Sequence, residues 1–447
     1  MITSRTTSTL AVVLGGLLIA GCHRPTGDVL DRLVIGEVLM NSEFSDNLRE
    51  LSVPGGRLSG TPNAEQAERF IAERLRVYGL QNVHLEAFDM LSWTFSESQV
   101  TLLTDPPVVI ENSIAMGRSM STPGEGLTAD VVYLGTPDEE DFESSGDKLR
   151  GKFVVVNQDG LRTGRKAKLA ADQGAAGLVV ISRPERMPII GNAYADVREE
   201  PVVGIPHSDD LIALLESDGP LQLNIRLVAR NWHCRPNNVI GEIPGHGPLA
   251  DEVIIISAHL DSWHLAEGGM DNGSGSATIL ETARALAAID WRPRRTVRFI
   301  WFMGEEHGLF GSRAYVNRHI DELDNVVTVI NLDMPGDPRS FGRFGHPEVE
   351  PFLHELRADL AGFELSEKIG QWSGSWSDHG PFIEQGVCGL GISGAQGEGV
   401  KHYHTIGDTY ETVDRRGTVK TSAVLAVMVR RLADAADRLA ERDTDQE

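Results

Sequence analysis

Hydrophobic positions recur along this chain in two registers, and the register changes more than once. After Thr61, the residues Ala67, Phe70, Ile71, Leu75 and Tyr78 fall on one face of a 3.6-residue repeat, which predicts an amphipathic helix. Thr61 serves as its N-cap, Pro62 opens its first turn and Gly79 ends it. VHLEAF and SQVTLL then alternate as strands do. Past Pro106, short apolar strands (DVVYLG, KFVVVNQ, GLVVIS, LNIRLV) are spaced by loops and by one helix around Lys166–Gly174. From about Asn237 the pattern becomes a regular α/β repeat. DEVIIISAHLD, TVRFIWFM and NVVTVINLDM read as strands and SGSATILETARALAAI as a helix, and a last helix runs through Val424, Met428, Leu432, Ala435 and Leu439. Strands this uniformly apolar belong to a mixed, mostly parallel sheet with helices on both faces. The expected organisation is an α/β catalytic domain in two parts, 22–105 and 236–440, around an inserted smaller α/β unit at 106–235, with 441–447 as a tail. The insertion holds no cluster of ligand-type residues and reads as separate from any chemistry.

Composition narrows the function classes. The chain has 447 residues and a net charge of −24, which argues against nucleic-acid binding, since that needs a basic surface. Near the N-terminus, LAVVLGGLLIA (Leu10–Ala20) has signal-peptide length and is too short to span a membrane. It ends in IAGC, which resembles the bacterial lipoprotein cleavage box; that resemblance implies removal of residues 1–21 and a lipid on Cys22. The protein is therefore expected to be exported and held on the bacterial cell envelope by that anchor alone. Cys234 and Cys388 could pair in an exported protein, but lacking C-x-x-C spacing they fit equally well as two buried thiols.

The chemistry gathers at strand ends. After VIIISA stand His259 and Asp261; after the following loop, Asp271 and Asn272 open a helix; Glu305 and Glu306 follow RFIWFM, and Asp333 follows VVTVIN. In open α/β sheets the carboxyl ends of strands line the ligand crevice. So many carboxylates cannot share a site without a cation. One imidazole among them suits zinc better than calcium or magnesium, which favour all-oxygen shells. A second imidazole is available in KHYHTIGDT, where His402 and His404 share a face and geometry does not separate them. Taken alone, the pair Glu305–Glu306 would be a strand end favouring the next helix's N-terminus. Gly304 before it allows the chain to turn, so that the two carboxylates need not face opposite ways.

Together, SAHLDSW, GGMDNGSGSA, FMGEEHGLFGS, NLDM, SDHGPF and HYHTIGDT resemble the co-catalytic di-zinc exopeptidases, a family that includes secreted bacterial aminopeptidases and glutamate carboxypeptidase. The likeness is greatest to its plasma carboxypeptidase branch and runs from RLSGTPNAEQ to His404. LRGKFVVVNQ and AADQGAAGLVVIS resemble a protease-associated domain. The resemblance implies two Zn²⁺ ions held by His259, Asp271, Glu306, Asp333 and His404, with Asp271 bridging. Glu305 would be the general base and Asp261 the carboxylate that orients His259. It implies a peptide as substrate, short peptides or dipeptides first and aminopeptidase action as the alternative, and it leaves a homodimer open. QWSGSWSDHGPF, with Trp372, Trp376, Asp378 and His379, resembles a family segment near the substrate. Asn272 departs from the pattern, where many relatives carry a second aspartate. Glutaminyl cyclases, which use one zinc, and metal-free receptor-like relatives share the fold, and the complete set of apparent ligands argues against both. His264, His307 and His319 are expected on the surface or behind the ligands.

Overall fold

The computed structural model describes residues 27–443 apart from 185, 194–197, 199 and 218. Cys22 and the apolar run before it lie outside the described residues. No described helix is long and apolar enough to cross a membrane.

Two eight-stranded sheets carry the fold. The first runs in the order Gln81–Ala87, Asn237–Ile243, Thr296–Phe302, Val253–His259, Val326–Asn331, Gly389–Ala395, Asp337–Phe344 and Gly370–Trp372. Its middle is parallel, from Thr296–Phe302 through Gly389–Ala395, and antiparallel pairs flank it. Side chains alternate across a strand, so a strand covered on both faces is apolar throughout. Ile254, Ile256 and Ala258 enter the larger core beneath the helices Pro62–Val77, Gly275–Ala288 and Arg415–Asp434. Val253 and Ile255 enter a smaller core on the other face with Tyr315, Val316 and Phe382.

The second sheet belongs to the insertion, and its boundary differs from the expected one. Met90–Leu102 pairs antiparallel with Gln222–Cys234, from Met90 opposite Cys234 to Leu102 opposite Leu223. The unit therefore begins at Met90 rather than at 106; alternation in SQVTLL marks a strand but not the sheet it joins. The last helix stops at Asp434. There Arg295 donates to the carbonyls of Leu432 and Ala435, so the apolar repeat continues to Leu439 without helix. The tail is held as far as residue 443, where Arg442 Nε donates to the Gln385 carbonyl and Asp443 N to Gly386. Cys234 and Cys388 are unpaired.

Candidate metal centre

Each strand of the parallel core delivers its chemistry at the carboxyl end. His259 is the last residue of Val253–His259. Asp271 sits in the turn Gly269–Ser274 that leads into the helix Gly275–Ala288, with non-helical φ −109° and ψ 97°. Asp333 follows Val326–Asn331, and His404 follows the 3-10 turn Gly397–His402 after Gly389–Ala395. Glu305 and Glu306 follow Thr296–Phe302 through Gly304, whose φ of +79° turns the chain out of the strand.

These residues form two groups of ligand atoms that share one carboxylate. His259 Nε2 lies 3.2 Å from Asp271 Oδ1 and 3.4 Å from Asp333 Oδ1. His404 Nε2 lies 3.0 Å from Asp271 Oδ2 and 3.1 Å from Glu306 Oε2. Each of the two, His259–Asp271–Asp333 and Asp271–Glu306–His404, is compact enough to hold one ion. His402 joins neither group. Glu305 joins neither group; its main-chain N–H donates to Asp261 Oδ1 at 3.2 Å. Asp261 also accepts from Ser59 Oγ at 3.2 Å. His259 Nδ1 is 3.1 Å from the Asp261 carbonyl oxygen and 3.8 Å from its carboxylate, so its nearer partner is main chain.

The electrostatics call for cations. Burial opposes a charge on His259, yet the charges of Glu305 and Asp333 hold its imidazole well above the ordinary value. Burial likewise opposes charge on His404, and Glu306 and Asp271 raise it. Burial pushes Glu305 well up, Asp333 and Glu306 adding to it against His259. Glu306 is pushed up to about 7 by burial and the Asp271 charge. Glu306 Oε1 and Asp333 Oδ1 are buried without a hydrogen-bond donor. Imidazole with carboxylate is a zinc-type donor set. Divalent ions between these atoms would neutralise the carboxylates and free both imidazoles to bind as neutral ligands, so the residues fit.

Residues 238–429 match the family model for peptidase family M28, and residues 127–211 match that for the PA domain. Over residues 238–429 the chain is therefore similar to peptidase family M28. Among M28-type relatives, it is 26% identical to carboxypeptidase Q of Homo sapiens over 94% of this chain and 91% of that one. It is 27% identical to Aminopeptidase YwaD of Bacillus subtilis (strain 168), over 83% and 81%. The M28 fold recurs in the crystal structure of a peptidase M28 precursor from Shewanella amazonensis SB2B. That structure superposes with a TM-score of 0.84 at 23% identity, covering 93% of this chain and 99% of that one.

Several further residues hold this site together. Arg57 is fully buried and donates to the carbonyls of Leu51, Leu260, Glu267 and Gly268. Burial lowers it to about 10, against the attraction of Asp408 and Asp261. Asp408, the aspartate of HTIGDT, accepts from Met270 N at 2.7 Å and Asp271 N at 3.0 Å and so fixes the main chain of the residue common to both groups. Asn272 clamps the loop of Asp333, donating to Leu332 O at 2.8 Å and accepting from Met334 N at 3.0 Å. An aspartate there could not make the first bond, so the departure noted in the sequence suits its place. Tyr403 stacks on His404, centroids 3.8 Å apart. Burial and the charges of Asp271 and Glu306 raise its phenol far up. Asp378 is buried, and burial pushes it up to about 7. Nearby in the chain, Trp376 and His379 pack edge to face, centroids 4.6 Å apart.

His319 is on the surface, paired with Glu86 and Glu322. His307, directly after Glu306, is fully buried, accepting from Trp93 N at 3.3 Å and lying 5.2 Å from the Trp263 ring. Burial pushes both His264 and His307 down to about 4. An unfolded histidine titrates near 6.5, so between about 4 and 6.5 the unfolded chain binds protons that the fold refuses. Stability from these neutral imidazoles is complete above that window and is lost as pH falls through it, by up to about 3 kcal/mol each. Asp378 and Asp408, both pushed up to about 7 by burial, act in the opposite direction, so the effect is read as a difference. Urea unfolding from pH 7 to 4.5 should show a shallower acid loss in His307→Asn than in the wild type; equal slopes would remove His307 from the account.

Proposed function

We propose that this protein is a zinc-dependent exopeptidase acting on dipeptides and short peptides, with two ions held by His259, Asp271, Glu306, Asp333 and His404. The observation that carries the reading is Asp271, whose two oxygens lie 3.2 and 3.0 Å from the imidazoles of the two groups. Bound there, zinc supplies Lewis acidity that lowers the pKa of water and polarises a peptide carbonyl. Glu305 takes the proton of the attacking water and passes it to the departing amine. The residue is suited to this because it stands outside both ligand groups and its environment favours the protonated form. Asp261 holds Glu305 by its main chain and, through its own carbonyl, meets His259. Tyr403, kept protonated, offers an O–H donor to the carbonyl oxygen as charge develops. A cavity of about 480 Å³ beside Asp333, lined in part by Met334, Trp372, Trp376 and Ile392, is of a size to receive a substrate side chain.

The preference for short peptides is supported by the likeness to carboxypeptidase Q, and aminopeptidase action is the second reading, supported by the likeness to Aminopeptidase YwaD. Mass spectrometry of products from peptides blocked at either end separates them. Cleavage of N-acetylated but not C-amidated peptides would exclude the aminopeptidase, and the reverse would exclude a carboxypeptidase. A protein that binds no zinc and cleaves none of them would sink both.

We also propose that Cys22 carries a lipid that holds the exported protein on the cell envelope, on the strength of IAGC closing the apolar run. Cys22→Ser should move the protein from the membrane to the soluble fraction; a variant still sedimenting with membranes would count against the anchor.

A further inference from the structure

The insertion was expected to stand apart from the chemistry, yet among the described residues it grips two of the ligand residues by their main chain. Ile190 N–H donates to the carbonyl of His404 at 2.9 Å, and Asn192 Nδ2 donates to the carbonyl of Glu306 at 2.7 Å. His404 has a φ of +56°, a left-handed conformation that a non-glycine residue keeps only where its surroundings hold it. Both gripped residues belong to the same ligand group, Asp271–Glu306–His404. The other group is fixed from within the catalytic domain. Ser276 Oγ donates to His259 O at 2.8 Å, and Asn272 clamps both neighbours of Asp333.

Building on the two-ion reading, we propose that the insertion is a positioning element for one ion site only. Asn192 and Ile190 set the main chains of Glu306 and His404, and so the placement of their ligand atoms. Among the described residues, no hydrogen bond from the insertion reaches His259 or Asp333. Within the insertion, Asn192 is itself set by Gly117: Gly117 N donates to Gly191 O and Ala193 N to Gly117 O. A Cβ on Gly117 would lie 2.7 Å from Asn192 Oδ1, so Gly117→Ala displaces the amide without touching the catalytic domain.

The test is zinc titration of the metal-free full chain against a chromophoric chelator, for the wild type, Asn192→Ala, Asn192→Asp and Gly117→Ala. Loss of a residue that orients a ligand weakens metal binding about 10- to 100-fold. The expected result is two ions in the wild type, one of them weakened by about that factor in all three variants while the other changes less than about 3-fold. Asn192→Asp keeps the shape and removes the donor, so it separates the hydrogen bond from packing. In a His259→Ala background, where the remaining ion is the gripped one, Asn192→Ala should weaken that ion by the same factor. Equal weakening of both ions, or none, in variants whose thermal melts match the wild type overturns the proposal. A wild type that binds fewer than two ions overturns the two-ion reading itself, and this proposal with it.

Discussion

Glu305→Gln should keep its zinc and lose its turnover, by about 100- to 10,000-fold, the range over which a positioned acid–base group contributes. Glutamine has the size and hydrogen-bonding reach of glutamate but cannot accept a proton from water at neutral pH. Its placement should survive, because the 305 main chain is tied to Asp261 and the turn is made by Gly304. The side chain belongs to neither ligand group, so the ions should stay. Metal content by plasma mass spectrometry, set beside hydrolysis of a short peptide, reads both quantities. Full activity would remove Glu305 from the mechanism, and a loss of zinc in step with activity would make it a ligand.

The second large effect is expected at Arg57, and it is one of stability. The guanidinium has no exposed surface, and the acceptors it serves are carbonyls from three separate stretches, at Leu51, at Leu260 and at Glu267–Gly268. The last two of these lead into Asp261 and Asp271. Arg57→Met fills much of the volume but leaves four carbonyls without that donor. Gly268 O keeps the Gly273 N–H, so three acceptors are orphaned, and at about 1 kcal/mol or more for each, unfolding free energy should fall by roughly 3 kcal/mol or more. The variant also removes a buried positive charge beside Asp408 and Asp271. Arg57→Lys restores the charge without the fork and should recover only part of the loss. Denaturant unfolding of the zinc-loaded proteins measures this; a change in Arg57→Met below about 1 kcal/mol would show that water replaces the lost donors.

How much of this was legible in the sequence follows from how local each signal is. Long apolar strands such as Val253–His259 announce themselves, because burial on both faces leaves no room for polar residues. So do ligands that directly follow such strands. Asp337–Phe344 and Gly389–Ala395 were missed, since DPRSFGRF and GLGISGA carry charge or glycine where an apolar run was sought, although both are in the sheet. That His404 and not His402 joins the ligand groups follows from a left-handed residue and a six-residue 3-10 turn, neither visible to a period-two pattern. Arg57 and Asp408 were passed over for a similar reason. Their partners are backbone atoms distant in sequence, and backbone carbonyls and amides leave no mark in the residue string. For His307, in the midst of the GEEHG motif, the sequence left surface and a place behind the ligands both open; it lies buried against Trp93 and Trp263.

The insertion leaves and rejoins the catalytic domain through one antiparallel ladder that starts at Met90 opposite Cys234. Paired residues in such a ladder stand only about 4.5–5.5 Å apart, so a short splice would close the chain if the unit were cut out. At the level of the gene it therefore looks like a cassette. Excision would nevertheless leave the Glu306 and His404 carbonyls without the donors of Asn192 and Ile190. Swapping this unit between relatives thus demands matching contacts far from the seam, and the two parts of the chain are bound to diversify together.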